Sequence, residues 1–227
     1  MFTCRDYRLL RVVVVACLAL IAACTPRGTA NQGAAREITD DAGRRVGLPA
    51  KVDRVVSLAP NLTEIVFAVG AGDRLVGRTS YCDYPAEAKA IAEVGDTLHP
   101  SLERIIALKP QVVLVSTASQ LEVFTNQLQG QNIAVYVTDP HDLEGVFRSI
   151  AQIGEIVGDK DRANLLVQKL RERTNAVEQA VKQKQPVRVF YQVSGEPLYT
   201  AGHDSFVTDL MRRAGGASVT ADVSGAW

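Results

Sequence analysis

Residues 55–85 read VVSLAPNLTEIVFAVGAGDRLVGRTSYCDYP, and residues 94–116 read VGDTLHPSLERIIALKPQVVLVS. Short apolar runs alternate here with short amphipathic patterns. Val55–Leu58 has the character of a buried strand. Thr63–Val69 has helical spacing, with Asn61 or Thr63 as its cap and Gly70 or Gly72 at its end. Leu75–Val76 is a second short strand. Leu102–Leu108 is helical and is stopped by Pro110. Val112–Val115 is again a strand. Short apolar strands separated by helices imply a mostly parallel sheet covered on both faces, so the fold class is α/β.

The same rhythm continues toward the C-terminus. Leu121–Gln129 reads as a helix, Ile133–Val137 as a strand, and Leu143–Val157 as a helix ended by Gly158. Between Asp161 and Lys184 there is neither proline nor glycine. Leu165, Leu166, Leu170, Val177, Ala180 and Val181, with the stems of Lys169 and Arg173, form a stripe of helical spacing. This predicts one long helix, followed by Pro186. A coiled coil is the alternative, but only about three heptads are available and the α/β pattern resumes at once. Val187–Val193 reads as a strand and Leu198–Thr200 as another. Phe206–Ala214 is a helix closed by Gly215-Gly216. A sheet needs several strands to stand alone, so the chain is expected to lack much of a second α/β unit.

The N-terminus has the build of a targeting segment. Arg5, Arg8 and Arg11 precede an apolar run, Val12–Ala22, that is short of the ~20 residues of a membrane span. It ends in Leu20-Ile21-Ala22-Ala23-Cys24, small residues directly before a cysteine, as at a lipoprotein signal-peptidase site. Cys24 is the expected lipidation site, and lipid chains hold a protein to a bilayer through burial of their methylenes. An ordinary secretory signal is the alternative. Residues 25–36 are small and polar and read as a flexible tether. Of four cysteines, Cys4 and Cys17 fall in the signal, leaving Cys82 alone in the folded region. No disulfide framework or CxxC pair follows, and Cys82 is expected to be buried.

Charge excludes one class of partner. The chain has 25 basic and 25 acidic residues and a formal net charge of +0, which gives no electrostatic case for nucleic acid. Catalytic signatures are missing too: there is no GxSxG elbow and no GxxxxGK[ST] loop. Gly70-Ala71-Gly72 follows a helix, where a dinucleotide fingerprint requires a strand. His99, His141 and His203 are scattered without metal-ligand spacing. No catalytic residue, metal site or cofactor is expected.

The residues that invite a ligand lie in loops. Ser80-Tyr81-Cys82-Asp83-Tyr84-Pro85 follows a strand, and loops at strand ends are where open α/β sheets bind ligands. Tyr81 offers a flat ring with a polar tip, suited to a large planar molecule. Tyr84-Pro85 reads as the cap of the next helix. Asn61, where the first strand ends, either caps its helix or faces the cleft. His99 reads as a cap or a surface residue. Leu102, Ile105 and Ile106 share a buried face, so Glu103 points outward.

The two quoted stretches resemble the first lobe of the substrate-binding proteins that feed cobalamin, haem and ferric-siderophore ABC importers. Within that group they are most similar to the cobalamin-binding branch. The resemblance implies two α/β lobes joined by one long helix. It divides the chain into a lipoprotein signal peptide (1–24), a tether (25–36), an N-terminal lobe (37–159), a connecting helix (160–185) and the start of a C-terminal lobe (186–227). It implies no enzyme activity. The expected function is extracytoplasmic capture of cobalamin or a related corrinoid, with haem or a ferric siderophore as alternatives, by a monomer held at the membrane. Tyr81 falls where the family contacts cobalamin. Some cobalamin binders cover the ligand with an aromatic ring from the loop that here reads Val94–Pro100, and the aligned residue is Thr97. His99 in the same loop is the candidate contact to haem iron or cobalt. Glu103 matches the glutamate that docks onto permease arginines. A secreted α/β hydrolase is the alternative from another class.

Overall fold

A hairpin opens the described chain. The computed structural model describes residues 35–116 and 121–225. The signal segment, Cys24 and the tether as far as residue 34 lie outside the described residues. Strands β1 (Arg36–Thr39) and β2 (Arg45–Leu48) pair antiparallel. The turn between them is built by Asp40, whose buried carboxylate accepts from the Ala42 and Arg44 amides at 3.1 and 2.8 Å and from the Arg44 guanidinium. A carboxylate that folds back on its own backbone is the usual way aspartate fixes a turn. Neither of these two short strands was expected from the sequence.

The central sheet holds β3 (Val55–Ser57), β4 (Leu75–Arg78), β5 (Val112–Ser116) and β6 (Ala134–Thr138). All pairings are parallel, in the order β4-β3-β5-β6. Side chains alternate across a strand, and here both alternating sets are buried. Val55, Leu114 and Tyr136 pack with Leu62 and Val66 of α1 (Pro60–Ala68) and with Ile150 and Ile153 of α4 (Leu143–Val157). Val56, Val113 and Val135 face the other way, onto Ile105 of α2 (Leu102–Ala107) and Leu128 of α3 (Leu121–Gln129). The expected parallel sheet with two covered faces is therefore present. Burial pushes the Tyr136 phenol up, helped by Asp41, Asp40 and Glu155, and its hydroxyl donates to Gln152 at 2.7 Å.

Several local expectations need correction. Helix α1 begins at Pro60, with Ala59 as its cap and no side-chain bond there. Proline fits the first helical position because its missing N–H would have no partner anyway. Asn61 is thus inside the helix and caps nothing. Ser101, not His99, caps α2 and accepts from the Arg104 amide. Asp142 caps α4 and accepts from the Gly145 amide at 2.6 Å.

The long helix α5 spans Lys160–Val181, about 33 Å at ~1.5 Å per residue. It turns back along α4 after Gly158, whose φ of 78° is the left-handed conformation that ends a helix. Arg171 joins it to α4, pairing with Glu144 at 2.6 Å and lying 4.8 Å over the Phe147 ring. Beyond it, Val187–Val193 is not one strand. It divides into β7 (Val187–Val189), parallel to β10 (Gly216–Ser218), and β8 (Gln192–Ser194), antiparallel to β9 (Tyr199–Thr200). Helix α6 (Phe206–Arg213) lies between β9 and β10 in sequence.

Candidate functional site

Strand order identifies the edge of the sheet that can receive a ligand. From β3 the chain moves to β4 on one side, then crosses to β5 on the other. The helices after β3 and β5, α1 and α3, lie on opposite faces of the sheet. That reversal opens a crevice at the carboxyl ends of the strands, the usual ligand position in such sheets. Past β3, β4 and β6 the chain reaches that edge with Asn61 in the first turn of α1 and with Tyr81 and His141 in loops. The loop after β5 includes residues 117–120, which lie outside the described residues.

The Tyr81 loop and the Thr97–His99 loop are brought together. Past β4, residues 92–95 run alongside the strand end: the Arg78 amide donates to Ala92 O, Val94 N to Arg78 O, and Ser80 N to Gly95 O, each at 2.9 Å. The sheet is thereby extended, and Asp96–His99 is delivered next to Ser80-Tyr81. Asp96 then shapes its own loop by accepting from the Leu98 and His99 amides at 2.7 and 2.6 Å. The His99 amide is the main cause holding the Asp96 carboxyl below its ordinary range; desolvation opposes it, and the Leu98 amide and the His99 ring add to the lowering. The result is a loop tip with Leu98 76% exposed, facing solvent near Tyr81, itself 63% exposed. Large apolar side chains held out in neighbouring loops are what a binding wall presents before its ligand arrives. Thr97 is half-buried in this loop and His99 is exposed.

Arg78, the last residue of β4, is buried and donates to three carbonyls, of Thr79, Ala88 and Lys89, which flank the Tyr81 loop. Sequence reading passed over it, because a basic residue at a strand end carries no motif. It also passed over Asp96 and Leu98, although an aspartate directly after a glycine is a turn signal. Cys82 is fully buried as expected, with its sulfur 3.1 Å from Thr79 Oγ1.

Asn61 stands apart from this wall. With Ile65, Val146, Ile150, Leu166 and Phe206 it lines an apolar groove of about 550 Å³ between α1, α4, α5 and α6, which Tyr81, Thr97 and His99 do not reach. Glu103 lies exposed in the first turn of α2, with Ile105 buried behind it. Each histidine sits by a carboxylate: His99 by Asp96 at 3.3 Å, His141 by Asp139 at 3.2 Å, His203 by Asp204 at 2.7 Å. Among the described residues, no group of three or more His, Cys, Asp or Glu side chains is placed to hold a metal ion.

Residues 55–227 match the sequence profile of the family described as periplasmic binding protein. The chain belongs to the periplasmic binding protein family. The vitamin B12-binding protein of Yersinia pestis is 29% identical over 181 residues, covering 79% of this periplasmic binding protein and 65% of that one. The chain therefore spans about 65% of the length of that curated relative. Among solved structures, the periplasmic vitamin B12-binding protein BtuF of Vibrio cholerae superposes with a TM-score of 0.68 at 25% identity, over 77% of this chain and 69% of that chain. A possible iron-binding, periplasmic solute-binding protein of Staphylococcus epidermidis superposes with a TM-score of 0.69 at 26% identity, over 77% and 70%. These homologues are extracytoplasmic binding proteins and not enzymes, so the hydrolase alternative falls away.

Proposed function

We propose that this protein is the substrate-binding component of an ABC importer and that its ligand is cobalamin or a related corrinoid. The observation that carries this reading is the joined wall of Tyr81, Leu98 and His99 at the carboxyl edge of the parallel sheet. It belongs to a chain whose relatives include vitamin B12-binding proteins. A corrin is broad, flat and partly apolar, and an exposed aromatic ring beside an apolar tip suits one of its faces. In this reading residues 37–159 are the first lobe, 160–185 the connecting helix and 186–227 the start of the second. Thr97 and His99 complete the first wall with Tyr81, while Asn61 lines the separate groove beside α1. Glu103 meets a basic socket on the permease, where an ion pair sets orientation as well as attraction. Cys24 carries the lipid that keeps the protein at its membrane.

The test is a titration of the full-length protein with cyanocobalamin and haemin in parallel, read by calorimetry and visible absorbance. Saturable cyanocobalamin binding is expected, weakened roughly tenfold in Tyr81→Ala, the equivalent of one lost ring contact. Glu103→Lys should bind cyanocobalamin as the wild type does but fail to support uptake through the permease. Binding of haemin alone would overturn the corrinoid assignment, and lost affinity in Glu103→Lys would overturn the docking role.

A further inference from the structure

Arg78 is 8% exposed. Its one ion pair among the described residues, from Nη1 to Glu93, is long at 3.9 Å, and the glutamate is half exposed. The guanidinium is otherwise spent on backbone. Nη1 donates to Thr79 O at 2.8 Å, Nε to Ala88 O at 2.9 Å, and Nη2 to Lys89 O at 3.4 Å. All three acceptors belong to the excursion between β4 and residues 92–95. The main chain of the same residue bonds the far end of that excursion, through Ala92 O and Val94 N. One residue therefore grips the loop at its start, its middle and its return.

The link to Tyr81 is short. Thr79 O accepts from Arg78 Nη1 and also from the Cys82 amide, at 2.8 and 3.1 Å. The second of these bonds closes the turn in which Tyr81 sits. Tyr81 is largely exposed and packs on little of the protein, so the direction of its ring is set by the backbone that carries it. A buried cation is costly, and an apolar side chain of the same size would fill the space more cheaply. What the guanidinium adds is a planar fork of N–H donors in fixed directions, which an apolar residue or a lysine does not supply.

We propose that Arg78 is the positioning residue of the ligand loop, holding residues 79–89 in one shape so that Tyr81 is presented to the ligand in one orientation. The loop's rigidity is independent of the ligand's identity, while its effect on affinity rests on the corrinoid reading above.

Two measurements test the two halves separately. In the ligand-free protein, Arg78→Met should speed amide hydrogen exchange at Cys82 and Ala88 by roughly tenfold or more, the scale of a lost charged hydrogen bond. Exchange within α4 should stay unchanged. Unaltered exchange at Cys82 and Ala88, or an equal rise in α4, would overturn the positioning role. Arg78→Lys, which keeps the charge without the fork, serves if Arg78→Met does not fold, and the same rise is expected. The second measurement is a double-mutant cycle on cyanocobalamin affinity. Removing Arg78 should weaken binding roughly tenfold in the wild type and leave Tyr81→Ala no weaker than before. Equal losses in both backgrounds would show that Arg78 does not act through Tyr81. If Tyr81→Ala alone binds as the wild type does, the assigned contact is wrong, while the exchange result still decides the role of Arg78.

Discussion

Gly95 shows how much one position controls in the proposed ligand wall. Its φ is +106°, and a Cβ there would lie 2.5 Å from the His99 carbonyl oxygen and 3.1 Å from the Ser101 nitrogen. Both are backbone atoms of the loop that carries Leu98 and His99, so neither can swing aside. Gly95→Ala should cost about 2–3 kcal/mol, combining left-handed strain with the collision. Gly43 is the control, since it has φ +74° but nothing within 4 Å of an added Cβ. Gly43→Ala should cost only about 1 kcal/mol. Urea denaturation of the two variants reads the difference, and equal losses would remove the collision from the account. Site legibility at this scale followed chemistry that a side chain shows by itself. Tyr81, Glu103 and Cys82 could be placed as exposed or buried from their neighbours in sequence. Arg78 and Gly95 act on backbone groups brought close only by the folded loop, and no spacing in the sequence reports that.

At the scale of elements, the long periodic segments were readable and their junctions were not. Helix α4 and its glycine stop follow from the pattern Leu143–Val157 and Gly158, because burial of one face and a left-handed cap are both local properties. The run Val187–Val193 failed for the opposite reason. Five of its seven residues are valines or aromatics, which favour strands, so nothing local marks the break at Phe190–Tyr191, where β7 ends before β8 joins a different partner. The contact between α4 and α5 was equally hidden. A Cβ on Gly154 would lie 2.2 Å from the Ala163 Cβ, so glycine lets the two helices approach. Helix propensity alone favours alanine at an interior glycine by about 1 kcal/mol. Overpacking a tight contact costs ~1–3 kcal/mol. Gly154→Ala should therefore lower the Tm, and Ala163→Gly in the same chain should restore part of it. A raised Tm in the single variant would mean the helices are free to separate.

The whole molecule is held across its long helix by Asp209. Its Oδ2 accepts from the Leu143 amide at the start of α4, at 3.2 Å, and from Arg213 Nε at 2.8 Å, while Oδ1 accepts from Arg212 at 2.5 Å. Arg213 continues to Glu178 of α5 at 2.7 Å. One carboxylate thus ties α6 to the first turn of α4, where a negative charge also suits the helix dipole, and through Arg213 to the connecting helix. Burial pushes the Asp209 carboxyl up, but Arg213, the Leu143 amide and Arg212 outweigh it and hold it below its ordinary 3.8. A carboxylate with a lowered folded pKa contributes stability above its unfolded value and loses it as pH falls through the folded one. Asp209→Ala should cost about 1–3 kcal/mol at neutral pH. The gap between wild type and variant should stay constant from pH 7 to about pH 5 and close as the pH drops below about 4. Thermal melts of both proteins across that range read it directly. A gap that persists unchanged at pH 3 would mean that the carboxylate's charge does not hold α6 in place.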